Sequence, residues 1–175
     1  MSYNGRLSSI AISRSPVVRP NGFFPNEGDK RPTFQPTQQL DFEIELGAFI
    51  STPIESGTTI NAKDAADHIF GFVLLNDWSA RDVQKFEMPP FGPFHSKGFI
   101  TTISPWVVTL DALGSCRSGA PPSSNATDIH PSLVADETNH GIYEIDFTAS
   151  VSRESGKILF TFLSCEGQLT SCSYR

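Results

Sequence analysis

Long apolar runs are missing from this chain of 175 residues. Phe72-Val73-Leu74-Leu75 is typical of those that occur, and it falls far short of the roughly 20 apolar residues that a membrane helix needs. No helical membrane span is expected. Cysteine is scarce too: Cys116, Cys165 and Cys172 are odd in number and lack Cys-x-x-Cys spacing, so neither a disulfide framework nor a zinc cluster is expected. Basic charge is outweighed, with 13 Lys and Arg against 19 Asp and Glu for a net charge of −6. That balance argues against binding a phosphate backbone, and no nucleic-acid partner is expected. The opening MSYNGRLSSIAISRS has neither a basic start nor an apolar segment followed by a small-residue cleavage site. No secretory signal is read there, a cytoplasmic protein is the expectation, and the Asn125-Ala126-Thr127 sequon carries little weight.

The length suits one domain, or a piece of a larger one, with a substantial core. Residues 15–36 are rich in Pro, Gly and Asn and read as irregular connections that cannot hold a long helix. LDFEIELGAFI, 40–50, alternates acidic and apolar side chains, the period of a strand, and places Glu43 and Glu45 on one face. NAKDAADHIF fits a short helix capped by Asn61, and GFVLLND a buried strand. Ser79 and Asp82 repeat the helix-start signal before ARDVQKF. Pro89, Pro90, Gly92 and Pro93 make a rigid loop that leads to Lys97 and an extended FITTISPWVVTL. Residues 114–127 read as a low-complexity linker or surface loop. GIYEIDFTASVS and KILFTFLS, joined by RESG, read as a terminal hairpin. No internal repeat is evident. The class is mainly β with short helices, α+β.

The chemistry concentrates where the apolar run ends abruptly in Asn76-Asp77-Trp78. Glu43, Glu45 and Asp77 are carboxylates on or at the end of otherwise apolar strands. Near a core, such groups need pairing or a cation, and hard oxygen donors favour Ca2+ or Mg2+ over zinc or copper. Spacing alone leaves a plainer reading open, in which Glu43 and Glu45 form a solvated face and Asp77 caps the following helix. Arg81 and Gln84, three apart on one helix, could face a pocket, Arg81 holding a carboxylate and Gln84 a carbonyl or hydroxyl. An exposed helix with an ordinary charge pattern explains them as well. Lys97, just before Thr101 and Thr102, could meet a polarised oxygen near a metal or be solvated in its loop. Trp78 and Trp106 read as core or pocket-wall aromatics.

Taken together, YNGRLSSIAIS, LDFEIELGAFI, HIFGFVLLNDWSARDVQKFE, PFGPFHSKGFITTISPWVV and DAL resemble the central region of the fumarylacetoacetase family. The resemblance runs over about residues 3–113, with 114–127 as a loop and 128–175 as divergent terminal strands. It implies that residues 1–175 form a partial catalytic domain of the fumarylacetoacetase C-terminal type, a mixed β-sandwich or roll that is incomplete at both ends. The activity implied is metal-dependent hydrolysis of a carbon-carbon bond in 4-fumarylacetoacetate, a small diketo acid. That reaction gives fumarate and acetoacetate at the last step of tyrosine and phenylalanine breakdown, usually in a homodimer.

Residue by residue, the resemblance implies that Glu43, Glu45 and Asp77 are metal ligands, with a fourth carboxylate upstream of the chain. Tyr3 matches a substrate-contacting tyrosine, although Asn4 replaces the histidine that follows it in the family. Arg81 and Gln84 match polar active-site residues near the substrate. Lys97 and Thr101 match positions of a second, Mg2+-associated site. A protonated lysine is no ordinary metal ligand, so the role expected of Lys97 is to stabilise developing negative charge or hold a water. Met88 stands where the family usually has a substrate-binding tyrosine. The family's base is a histidine upstream of the segment matched by Tyr3, and His68, His95, His130 and His140 do not match it. A second reading, of a different class, is a truncated, non-catalytic metal-binding or dimer-interaction module of the same family.

Overall fold

The computed structural model describes residues 5–90, 92–118, 130–133, 142–143, 145–154 and 157–165. The chain divides into two compact units, Met1–Gly47 with Val73–Trp106 and Ala48–Phe72 with Val107–Arg175. The class is α+β as expected: a mixed sheet, hairpins and short helices.

In chain order the strands are β1 (Ile10–Ile12), β2 (Asn21–Phe24), β3 (Thr33–Pro36), β4 (Leu40–Asp41), β5 (Ile44–Ile50), β6 (Ile69–Asp77), β7 (Ser79–Ala80) and β8 (Thr101–Ile103). Two short helices, α1 (Arg81–Glu87) and α2 (His95–Gly98), fall between β7 and β8. The largest sheet has the order β1-β8-β6-β5. In the first unit β8 runs parallel to β1 and antiparallel to the end of β6, and the register sets Ile10, Thr101 and Asp77 in one row across three strands. The apolar stretch of β6 supplies the β-branched and aromatic residues that suit a half-buried pleat, and it ends where Asn76 and Asp77 are both buried.

Residues 15–36 are not wholly irregular: β2 and β3 form an antiparallel hairpin. β2 lies between Pro20 and Pro25, β3 starts after Pro32 and ends on Pro36, and Phe23 meets Phe34 across the hairpin with ring centroids 5.1 Å apart, a pairing that periodicity in so short a segment does not reveal. Gly22 lets this hairpin approach α1, because a Cβ there would sit 2.5 Å from a methyl of Val83. Phe24, Ala80 and Val83 are buried together, with Phe99 packed against them. Each fully buried Val or Phe side chain contributes about 1.5–3 kcal/mol, so this small cluster anchors α1 beneath the site.

The expected strand over 40–50 is broken between Asp41 and Ile44, leaving Glu43 at the gap. Two hydrogen bonds bridge that gap: the Asp77 N–H donates to the Glu43 carbonyl (3.0 Å) and the Glu43 N–H to Asn76 Oδ1 (3.2 Å). The helix ARDVQKF forms, but Ala80 rather than Ser79 occupies its N-cap position. The Ser79 hydroxyl is already committed to the Asp77 carbonyl (3.1 Å). Lys97 lies on α2, where a loop was expected. FITTISPWVVTL is interrupted, extended over β8 and again over β9 (Val108–Thr109). Trp78 is buried, as expected, while Trp106 is 79% exposed and belongs to no core.

In the second unit, residues Ala62–His68 form a 3-10 helix. Asn61 occupies its cap position, but its side chain reaches Asp64 Oδ2 (3.4 Å) instead of a backbone N–H. β9 pairs with Gly71 and Phe72, and Gly71 is required there because a Cβ would run into the Val108 carbonyl. Within the expected linker, Gly114–Cys116 is a 3-10 turn and β10 (Arg117–Ser118) pairs with β11 (Ile142–Tyr143); 119–127 lie outside the described residues. The terminal hairpin is present as β12 (Asp146–Glu154) against β13 (Lys157–Cys165). Among the described residues no helix is long and apolar enough to cross a membrane.

Candidate functional site

The end of β6 carries Asp77 into the first unit, and the gap between β4 and β5 brings Glu43 to it. Glu43, Glu45 and Asp77 each offer a carboxylate oxygen, and these oxygens all lie within 4.8 Å of one another. Asp77 is buried, Glu43 half-buried and Glu45 exposed. The backbone bonds across the gap fix Glu43 beside Asp77, and Asn76 Oδ1 is part of that brace. The Asn76 amide is fully buried, and its Nδ2 has no hydrogen-bond partner among the described residues.

Two cations meet these acids. The Lys97 side chain is 4% exposed, and its ammonium donates to both Glu43 Oε2 and Asp77 Oδ2, the latter at 3.0 Å. Arg81 donates from Nε to Asp41 Oδ2 (2.8 Å), and from Nη1 to Glu43 Oε1 (2.8 Å) and Gln84 Oε1 (2.9 Å). Burial works against the charged form of Glu43, yet the hydrogen bonds from Lys97 and then Arg81 hold its carboxyl below the usual carboxylate value. Arg81 is likewise desolvated, and its bonds to Asp41 and Glu43 still raise its pKa. Glu45 differs: desolvation first, then the charges of Asp77 and Glu43, push its carboxyl up.

Four carboxylates (Asp41, Glu43, Glu45 and Asp77) thus face two cations. The surplus is negative and gathers at Glu45, the one without a cationic hydrogen-bond partner among the described residues. All three converging donors are hard oxygens, the set that selects Ca2+ or Mg2+. Oxygens on opposite sides of a Ca2+ ion lie roughly 4.6–5.2 Å apart at its usual ligand distances, and about 4.0–4.2 Å around Mg2+. The spread of up to 4.8 Å therefore suits a metal ion, and the donor set fits the cation expected of it.

What sets Lys97 in place is Glu87, which the sequence did not single out. Its carboxylate accepts from the N–H groups of Phe94 (2.7 Å), His95 (3.2 Å) and Ser96 (2.8 Å), and from the Ser96 hydroxyl. One side chain at the end of α1 thus gathers the first turn of α2, where Ser96 and Lys97 are buried. Trp78 adds a second brace, its Nε1 donating to Thr102 Oγ1 (3.1 Å) on β8.

An open cleft of about 330 Å3 adjoins the carboxylates. Arg6, Glu45, Asp77 and Thr101 supply its polar lining, and Leu7, Ile10 and Leu75 its apolar walls. Of the residues expected in a site, Glu43, Glu45, Asp77, Arg81, Gln84 and Lys97 are linked through the contacts above, and Thr101 stands opposite Asp77 in the sheet register. Tyr3 lies outside the described residues. Met88 closes the end of α1, its N–H donating to the Gln84 carbonyl (2.9 Å). Two residues at the site escaped sequence reading besides Glu87. Asp41 ends β4, just before the acidic motif, and pairs with Arg81, and Arg6 gave no signal beyond its place in YNGRLSS.

A family model described as "Fumarylacetoacetate (FAA) hydrolase C-terminal" matches residues 1–154. The chain belongs to the fumarylacetoacetate hydrolase family. Within that family it is similar to a fumarylacetoacetase of Aspergillus fumigatus, 43% identical over 160 residues, which are 90% of this chain and 37% of that protein. Similarity to the fumarylacetoacetase of Arabidopsis thaliana is 50% identity over 121 residues, 69% of this chain and 29% of that protein. The Homo sapiens fumarylacetoacetase is 46% identical over 113 residues, 65% of this chain and 27% of that protein. The chain spans about a third of the length of these relatives of the fumarylacetoacetate hydrolase family.

Proposed function

We propose that the chain carries the metal-binding part of a fumarylacetoacetase site, which hydrolyses the carbon-carbon bond of 4-fumarylacetoacetate to fumarate and acetoacetate. The observation that carries this reading is the convergence of Glu43, Glu45 and Asp77 in a family whose relatives bear that enzyme's name. These three side chains would hold the cation, a hard divalent ion of the Ca2+ or Mg2+ kind. When bound, the ion would polarise a carbonyl of the diketo acid and stabilise the enolate charge that appears as the bond breaks. Thr101 would extend the donor set from the opposite strand.

The remaining roles follow from what each group is free to do. Lys97 holds Glu43 and Asp77 in convergence and offers its positive charge to the oxygen on which negative charge develops. Arg81 commits Nε and Nη1 to Asp41, Glu43 and Gln84, and its Nη2, without a hydrogen-bond partner among the described residues, would face the substrate. Gln84 accepts from Arg81 through Oε1, so its amide N–H groups are available to a substrate carbonyl. Tyr3 is proposed as a substrate contact on the strength of the family motif. The homodimer, the place in tyrosine and phenylalanine breakdown, and the cytoplasmic setting belong to the same proposal.

The test is turnover. Purified chain given 4-fumarylacetoacetate and Ca2+ should release fumarate, and Asp77→Ala should abolish that release. Metal uptake by a folded chain without fumarate release would replace this reading with that of a non-catalytic metal-binding module.

A further inference from the structure

We propose that Arg6 is the residue that takes a carboxylate of the ligand in the cleft, an inference resting on the reading of the site as one for a small keto acid. An acid needs a cation that is not already neutralised. Lys97 is held by Glu43 and Asp77, and Arg81 by Asp41 and Glu43. Among the described residues Arg6 is the one cationic side chain lining the cleft, and its guanidinium has no ion pair or side-chain hydrogen bond with any of them.

The backbone beneath it is fixed even though its head is free. Arg6 stands at the N-cap position of the 3-10 turn Leu7–Ser9, and its carbonyl accepts from the Ser9 N–H (3.3 Å) and hydroxyl (3.0 Å). That turn leads directly into β1, whose Ile10 begins the row that continues through Thr101 to Asp77. The guanidinium lies beside Gly98, where an added Cβ would come within 3.9 Å of Nε. It therefore stands next to the segment that bears Lys97, with an apolar wall of Leu7, Ile10 and Leu75 alongside.

This layout selects a ligand class. Glu45 and Asp77 line the same cleft as Arg6, which disfavours a compact dianion such as phosphate. An elongated keto acid separates its charge from its neutral oxygens, so its carboxylate reaches Arg6 while its carbonyls face Thr101 and the carboxylate cluster. The planar fork of arginine matches a carboxylate with two parallel hydrogen bonds. The size of the cleft is at the small end of ligand sites, as such an acid requires.

The experiment compares acetopyruvate with its methyl ester, a pair differing in one charge, by ligand-observed NMR titration of the full chain in Mg2+ buffer. Wild type should bind the acid at least about tenfold more tightly than the ester, the worth of a charge-assisted hydrogen bond. Arg6→Gln should reduce that ratio by about tenfold or more, and Arg6→Lys should restore part of it through a point charge without the fork. An unchanged ratio in an Arg6→Gln variant with wild-type circular dichroism would overturn the proposal, as would the absence of acid preference in wild type. Should Arg6→Gln fail to fold, Arg6→Lys decides alone: a ratio equal to wild type counts against the fork, and a partial loss supports it. The ratio needs no turnover. A chain that hydrolyses nothing yet shows Arg6-dependent preference sinks the activity and keeps this subsite, and active chain with an unmoved ratio does the reverse.

Discussion

Replacing Lys97 by Met removes the ammonium while keeping most of the side-chain volume. Asp77, 6% exposed, and Glu43, 29% exposed, then face each other without it. Breaking a buried pair by deleting one partner typically costs about 3–5 kcal/mol. Glu43 keeps Arg81 and Asp77 keeps further interactions, so the lower end applies, about 3 kcal/mol in metal-free buffer. For a chain of this size that is a fall in Tm of roughly 6–12 °C, read by circular dichroism in EDTA. Ca2+ should then raise the Tm of Lys97→Met by more than that of wild type, because the variant offers the ion two carboxylates with no competing ammonium. A loss below about 1 kcal/mol would place the lysine among ordinary surface pairs. That result, or an equal Ca2+ shift in both proteins, would refute the reasoning.

Glu45→Gln should stabilise the metal-free chain near neutral pH while weakening Ca2+ uptake. Because the fold raises this carboxyl above its ordinary value of 4.5, its charge opposes folding at neutral pH, and the penalty disappears as pH falls through the raised value. The advantage of the variant in a pH series of thermal melts should vanish with it, and an advantage that persists in acid would contradict the assignment. Glu43 has the opposite sign: its lowered carboxyl contributes stability above the ordinary value that is lost as pH falls through the lowered one, so Glu43→Gln should flatten the acid limb of the same series. Glu87→Gln should cost about 1.5–3 kcal/mol by weakening hydrogen bonds to a charged acceptor, with amide exchange at Phe94, His95 and Ser96 accelerating most. Gly22→Ala should cost about 1–3 kcal/mol through overpacking against Val83, measured by urea unfolding, and a neutral result would mean that α1 shifts freely.

How much of this the sequence displayed depends on how far each cause reaches along the chain. The strand ending in Asp77 is legible because an apolar run and its abrupt change to Asn-Asp-Trp are contiguous. The helix bearing Arg81 and Gln84 is legible for the same reason, though not its cap, since the Ser79 hydroxyl is diverted to a carbonyl two residues earlier. The burial of Lys97 is not legible, because its partners lie 54 and 20 residues away. A lysine after a Pro-rich loop looks solvated until the fold brings two acids to it. The same applies to Glu87, whose role is set by the path of 88–96, and to the Phe23–Phe34 hairpin, where turn-forming residues mask two short strands. Arg6 became informative once the other cations of the site were seen to be paired.

The central claim is that Glu43, Glu45 and Asp77 grip one divalent cation together. Isothermal titration calorimetry of Ca2+ into metal-free, folded chain tests it most directly. The account predicts uptake at a single site that Asp77→Asn eliminates and Glu45→Gln weakens. No uptake by the folded wild type, or undiminished uptake by Asp77→Asn, would contradict it.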